Sequence, residues 1–168
     1  INVNYQGQTL PIYATLDGEN IADLTPLTTS QPVNPGTAER VNVDYGNAPF
    51  RGNAGAKVVL VEFTDYQCPF CEKFFRETYS NINRDYISTN KIKYVVMNFP
   101  LGFHEQAQKA AEATLCFRDQ KGDSGYFSYH DKLFENQDKL SLANFKIWAQ
   151  QLGANGNQFN DCLDSGKF

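Results

Sequence analysis

The sequence predicts an α/β fold in which a parallel strand–helix–strand core carries an all-helical segment. Three features lead there. The run KVVLVEF (57–63) is apolar and β-branched without alternation, the pattern of a strand covered on both faces and central in its sheet. After Cys68 the period turns helical: Phe70, Cys71, Phe74, Phe75, Thr78, Tyr79, Ile82 and Tyr86 recur at three- and four-residue steps, giving one helix from about Pro69 to Ser88. KIKYVVMNF (91–99) is then a second strand, and a connection this long favours a right-handed crossover and parallel pairing.

The other elements follow from composition. INVNYQGQTLPIY alternates apolar Ile1, Val3 and Tyr5 with Asn2, Asn4 and Gln6 before a turn at Gly7, which places a strand or hairpin within residues 1–22. Residues 23–40 hold three prolines, many Thr and Ser, and no periodicity, and read as a linker. VNVDY (41–45) alternates as a short strand and GNAPFRGNAGA (46–56) is a loop, so the core occupies 41–103. Residues 104–168 are helical. HEQAQKAAEATLCF begins at His104, YFSYHDKLFENQ at Tyr126, and LANFKIWAQQL follows a Ser141 cap and ends at Gly153. A last short helix runs through Phe159, Cys162 and Leu163 and stops near Gly166.

At 168 residues and 41% hydrophobic content the chain can bury one good core. A net charge of −4 offers no clustered basic face for nucleic acid. No apolar stretch approaches the roughly 20 residues of a membrane helix, and no charged-then-apolar leader precedes Ile1. A start at Ile fits either a processed secreted protein or a fragment released from an anchor.

The cysteines carry the chemistry. A structural zinc site needs four ligands, usually in paired clusters, and Cys116 and Cys162 lack close partners. Cys68 and Cys71 have a bland reading, burial as small apolar side chains. Position argues against it: Cys68 stands where a strand meets a helix start, and free N–H groups there stabilise a thiolate, the reacting form. Pro69 suits the first helical position, where its missing N–H costs nothing. Cys71, one turn on, can attack a mixed disulfide on Cys68 and release the partner. Strand, Cys-Pro-Phe-Cys and helix within a βαβ unit form a thioredoxin-like redox arrangement, with Phe70 completing the motif.

VEFTDYQCPFCEKFF, FPLGFHEQAQKAAEA and FNDCLDSGKF, in that order over about residues 41–168, resemble the DsbA-like thiol oxidoreductases of the thioredoxin superfamily, above all the short bacterial envelope forms. The resemblance implies a thioredoxin fold with an inserted helical domain, Cys68 as attacking thiol and Cys71 as resolving thiol. It also implies a buried acid at Glu62, which would pass protons to or from Cys71; the alternative is a carboxylate pointing outward at a sheet margin. Relatives continue past the position of Phe168 into a cis-proline loop, two antiparallel strands and a helix. Without those strands VVLVEF becomes an open apolar edge and the sheet is incomplete. Either the chain is a fragment, or another strand, INVNYQ among the candidates, fills the gap in this molecule or a neighbour.

Cys116 and Cys162 lie on apolar faces in the helical region, and an even cysteine count in an exported chain allows a structural disulfide between them, the alternative being two buried thiols. His104 reads as a surface or capping residue, although a border position at the active site is the other option. His130 is expected at the core edge, hydrogen-bonded. The function expected is disulfide formation in exported proteins, with folding proteins as thiol substrates and, from the family alone, a membrane quinone-linked partner. No metal, nucleotide or flavin signature accompanies the motif. The alternative is a non-catalytic binding or assembly subunit, the open edge being also a route to self-association.

Overall fold

The computed structural model describes residues 2–5, 8–11 and 42–168, in two units. In the first, β1 (Asn2–Tyr5) and β2 (Gln8–Pro11) pair antiparallel, with Tyr5 opposite Gln8. The expected linker at 23–40 lies outside the described residues.

The second unit holds a three-stranded mixed sheet of β3 (Phe50–Gly52), β4 (Val58–Thr64) and β5 (Ile92–Asn98), ordered β3-β5-β4. As expected for an α/β core, β4 and β5 pair in parallel across a helical crossover, α1 (residues 69–87), while β3 runs antiparallel to β5. Three further α-helices follow among the described residues, α2 (Ala107–Glu135), α3 (Leu142–Gln151) and α4 (Gly156–Ser165), with a short 3-10 turn at Gln137–Lys139 between the first two. Ser141 caps α3 by accepting from Asn144 N–H, Asn155 caps α4 by accepting from Gln158 N–H, and Gly166 ends α4 in the left-handed conformation.

Three expectations need correcting. The run KVVLVEF is not central: among the described residues β4 has a neighbour on one side only, and Val58 and Phe63 are 60% and 49% exposed. Its lack of alternation records two apolar faces, of which one packs on the helices and the other stays open. Residues 42–45 of VNVDY are not a strand. The strand forms in the supposed loop, where Phe50 N–H donates to Asp123 and the Lys93 ammonium lies over the Phe50 ring. A Cβ at Gly52 would meet Ile92 O at 2.3 Å, so the close approach there requires glycine.

The apolar stripe of α1 is also shifted. Wide turns with i→i+5 bonding at Phe74–Tyr79 and Asn83–Ile87 interrupt the α pattern. The inward step runs from Ile82 to Ile87, which leaves Tyr86 exposed, and Thr78 and Phe70 are exposed as well. The two helices expected on either side of residue 122 are present and meet within α2 at a non-helical joint: Gly122 adopts φ 66°, ψ −166°, a conformation almost confined to glycine. Asp123, just past the joint, takes Arg118 on one carboxylate oxygen and the Phe50 N–H on the other, tying α2 to the sheet.

Two apolar clusters result. Tyr79, Ile87, Tyr94, Val96, Tyr126 and Phe127 join the sheet to α1 and to the second half of α2. Phe117, Tyr129, Leu133, Phe145, Trp148 and Phe159 fill the space among α2, α3 and α4, and Phe75 packs against both clusters. Tyr126, Tyr129 and Leu133 are thus packing residues. No helix among the described residues is long and apolar enough to cross a membrane.

A disulfide joins Cys116 of α2 to Cys162 of α4, 46 positions apart in sequence. Closing a loop of that length restricts the unfolded chain, so Cys116→Ala with Cys162→Ala should lose about 3 to 4 kcal/mol. Urea unfolding of the parent and the double variant measures this.

Candidate active site

The site begins where β4 ends. Asp65 to Gln67 turn the chain and deliver Cys68 to the N-cap of α1 in extended conformation, φ −74°, ψ 122°. Pro69 occupies the first helical turn, and Glu72 N–H donates to Cys68 O at 3.1 Å to close it. The Cys68 sulfur therefore faces free amides: the backbone N–H groups of Cys71 and Phe70 point to it, and the Cys71 thiol donates to it. The thiol bond is the largest influence, and against burial and the charge of Asp65 these donors bring Cys68 down to about 6. Cys71 moves the opposite way, far above the ordinary thiol range, because its S–H donates a hydrogen bond to the Cys68 sulfur and it is itself half-buried. One cysteine is thus prepared as an anion and its neighbour as a proton-bearing thiol. The buried Thr64 hydroxyl, with no other partner, lies against Cys71.

The depressed Cys68 value has a thermodynamic sign. Relative to an unfolded thiol near 8.5, ionised Cys68 adds stability to the folded, reduced chain above that pH, and the contribution disappears as pH falls through about 6.

Backbone around the cysteines is held from several sides. Asp65, 3% exposed, accepts from Gln67 N–H and Cys68 N–H with Oδ1, and from Leu101 N–H with Oδ2, which also lies 2.9 Å from His104 Nδ1. Gln67 Oε1 accepts from Gln106 N–H at 2.7 Å. Gln137 Nε2 donates to the carbonyls of Tyr66 and Cys68, both at 3.0 Å.

Of the residues singled out from sequence, Cys68, Pro69, Phe70 and Cys71 lie together at the start of α1, with the Phe70 ring exposed. Glu62 points to the helix-covered face of β4 and accepts from the Tyr94 hydroxyl; no hydrogen bond joins it to either cysteine. His104 is not a surface or capping residue: its side chain is largely buried against Asp65, before the start of α2 at Ala107. His130 stands inside the core rather than at its edge, ringed by Tyr66, Phe75, Phe127 and Phe134, with Nδ1 2.9 Å from Asp131. Sequence reasoning passed over Asp65 and Gln137. Asp65 had a signal, since an Asp four residues before a helix that starts at Pro is placed to accept turn amides. Gln137 had none, being brought to Cys68 by tertiary packing alone.

The profile of a family described as Thioredoxin matches residues 44–168. The chain belongs to that family, as a DsbA-like member. A putative protein-disulfide oxidoreductase of Rickettsia felis is 30% identical over 122 residues, 69% of this chain and 42% of the relative. Disulfide bond formation protein D of Bacillus subtilis is 30% identical over 89 residues, covering 53% of this chain and 39% of its own. Among solved structures, oxidised BdbD of Bacillus subtilis superposes with a TM-score of 0.66 at 26% identity, covering 72% of this chain and 68% of that one. Wolbachia pipientis alpha-DsbA1 follows the same fold with a TM-score of 0.61 at 24% identity, covering 74% and 63%. The chain spans less than half the length of these curated relatives.

The Cys71 thiol is the leading donor to the Cys68 sulfur, so Cys71→Ala should raise the Cys68 titration by about one to two units while the amide donors remain. The pH dependence of Cys68 alkylation checks this.

Proposed function

We propose that the chain exchanges thiols and disulfides with exported proteins outside the cytoplasm, in the direction that forms their disulfides. The observation that carries the reading is the opposed preparation of the two thiols, Cys68 held near 6 and Cys71 kept protonated. In the oxidised chain a substrate thiolate attacks the Cys68 sulfur. The Cys68–Cys71 bond breaks, and Cys71 leaves as a thiolate that takes up a proton. A second substrate thiolate then attacks the substrate sulfur of the mixed disulfide, forms the substrate disulfide and expels Cys68 as a thiolate, a leaving group favoured by its low pKa. In reverse, Cys71 resolves the mixed disulfide by attacking Cys68.

Glu62 enters this proposal as the group that supplies or accepts the Cys71 proton. Support for that role is its position on the helix-covered face of the strand that leads into the motif. By analogy with DsbA-like proteins, a quinone-linked membrane protein reoxidises the chain, and Cys116–Cys162 suits an oxidising compartment.

The open edge of β4, with Val58 and Phe63 exposed, favours a second reading in which the chain is a non-catalytic binding subunit completed by another strand.

Trapping decides between them. Cys71→Ser, offered as a mixed disulfide with glutathione to a reduced unfolded protein carrying a single cysteine, should exchange glutathione for the client and accumulate a client adduct on Cys68, which in the parent the Cys71 thiolate resolves by attacking Cys68. Glu62→Gln should slow parental exchange about tenfold without moving the Cys68 titration. Absence of any adduct, with Cys68→Ser indistinguishable from the parent, supports the binding subunit instead.

A further inference from the structure

Asp65 is a buried carboxylate whose partners all belong to the two segments that frame Cys68. Oδ1 accepts from Gln67 N–H at 2.7 Å and from Cys68 N–H at 3.1 Å. Oδ2 accepts from Leu101 N–H at 2.8 Å and lies 2.9 Å from His104 Nδ1. Three of these four partners are backbone amides, which satisfy the oxygens without neutralising them by proton transfer. The titratable groups that meet Asp65 are His104 from the loop after β5, Cys68 at the start of α1, and Cys71, whose sulfur receives the Asp65 backbone N–H.

A fixed negative charge is therefore built into the turn that presents a sulfur meant to be negative. Were holding the turn its whole task, a neutral Asn or Ser could accept the same amides, as these residues commonly do in such turns. The carboxylate adds a repulsion to the thiolate that such residues would not.

Resting on the exchange reaction proposed above, we infer that Asp65 is a positioning residue with two effects. It fastens the Cys68 turn to the loop after β5, and its charge restrains the Cys68 thiolate, so that the chain is a milder oxidant than its amide donors alone would make it. The coupled reaction is chain disulfide plus two glutathione thiols giving Cys68 thiolate, Cys71 thiol, one proton and glutathione disulfide. Any charge that disfavours the thiolate pulls this equilibrium toward the oxidised chain. In a variant, removing the charge would lower the Cys68 titration, whereas loosening the turn would raise it by withdrawing the amides, so the two effects are separable by sign.

The experiment compares Asp65→Asn, Asp65→Ser and Asp65→Glu with the parent, reading the Cys68 thiolate by ultraviolet absorbance against pH and the equilibrium constant against glutathione. Asp65→Asn, which retains an acceptor for the turn and loses the charge, should lower the Cys68 midpoint by about half a unit to one unit and favour reduction about three- to tenfold. Asp65→Glu, which retains the charge, should stay within a few tenths of the parent. An unchanged or higher midpoint in Asp65→Asn overturns the inference, and so does a shift in Asp65→Glu as large as that in Asp65→Asn. Should Asp65→Asn not fold, Asp65→Ser carries the same expectation. If the parent fails to equilibrate with glutathione, the proposed function falls, while the Cys68 titrations still decide the role of Asp65.

Discussion

An anionic sulfur at the start of α1 is the constraint around which the site is arranged. A thiolate is affordable there because the first turn of a helix has amide hydrogens with no carbonyl to receive them, and because the Cys71 thiol donates a hydrogen bond to the same sulfur. Pro69 begins that turn without adding another unpaired N–H. The parallel β4–β5 pair and the α1 crossover fix where the turn sits, and the apolar clusters behind Tyr79 and Phe75 hold α1 against the sheet.

The surroundings work both with and against that anion. Gln137 bonds the Cys68 carbonyl and Asp65 the Cys68 amide, so the backbone is pinned on both sides of the cysteine. Asp65 brings a like charge into the bargain, and burial opposes ionisation as well. The sulfur stays acidic because several short-range donors outweigh one carboxylate and a partial loss of water. A site balanced in this way is adjustable by single substitutions.

Much of this was legible in the sequence where local rules decide. The helix start at Pro69, the Ser141 cap, the Gly166 stop and the parallel order of the two strands follow from spacing and from residues with fixed backbone preferences. Coverage of β4 was misread because a run of Val and Leu looks the same whether one face or both are covered, whereas its place at the edge of the sheet is the one expected of a core without further strands. The shifted stripe of α1 escaped because a five-residue turn leaves no compositional mark. Tyr86 occupied the predicted position while Ile87 took the buried one. Partners that arrive from afar were invisible: Gln137 at Cys68, Tyr94 at Glu62, and His104 at Asp65 are each the product of packing between segments distant in the chain.

Titration of Cys68 in the reduced, unmodified chain tests the account most directly, by following thiolate absorbance with a Cys71→Ser reference to assign the signal. The account predicts a midpoint near 6, with Cys71 remaining a thiol throughout the accessible range. A midpoint at the ordinary thiol value of about 8.5 would contradict it, since the convergent donors would then confer nothing on the sulfur they surround.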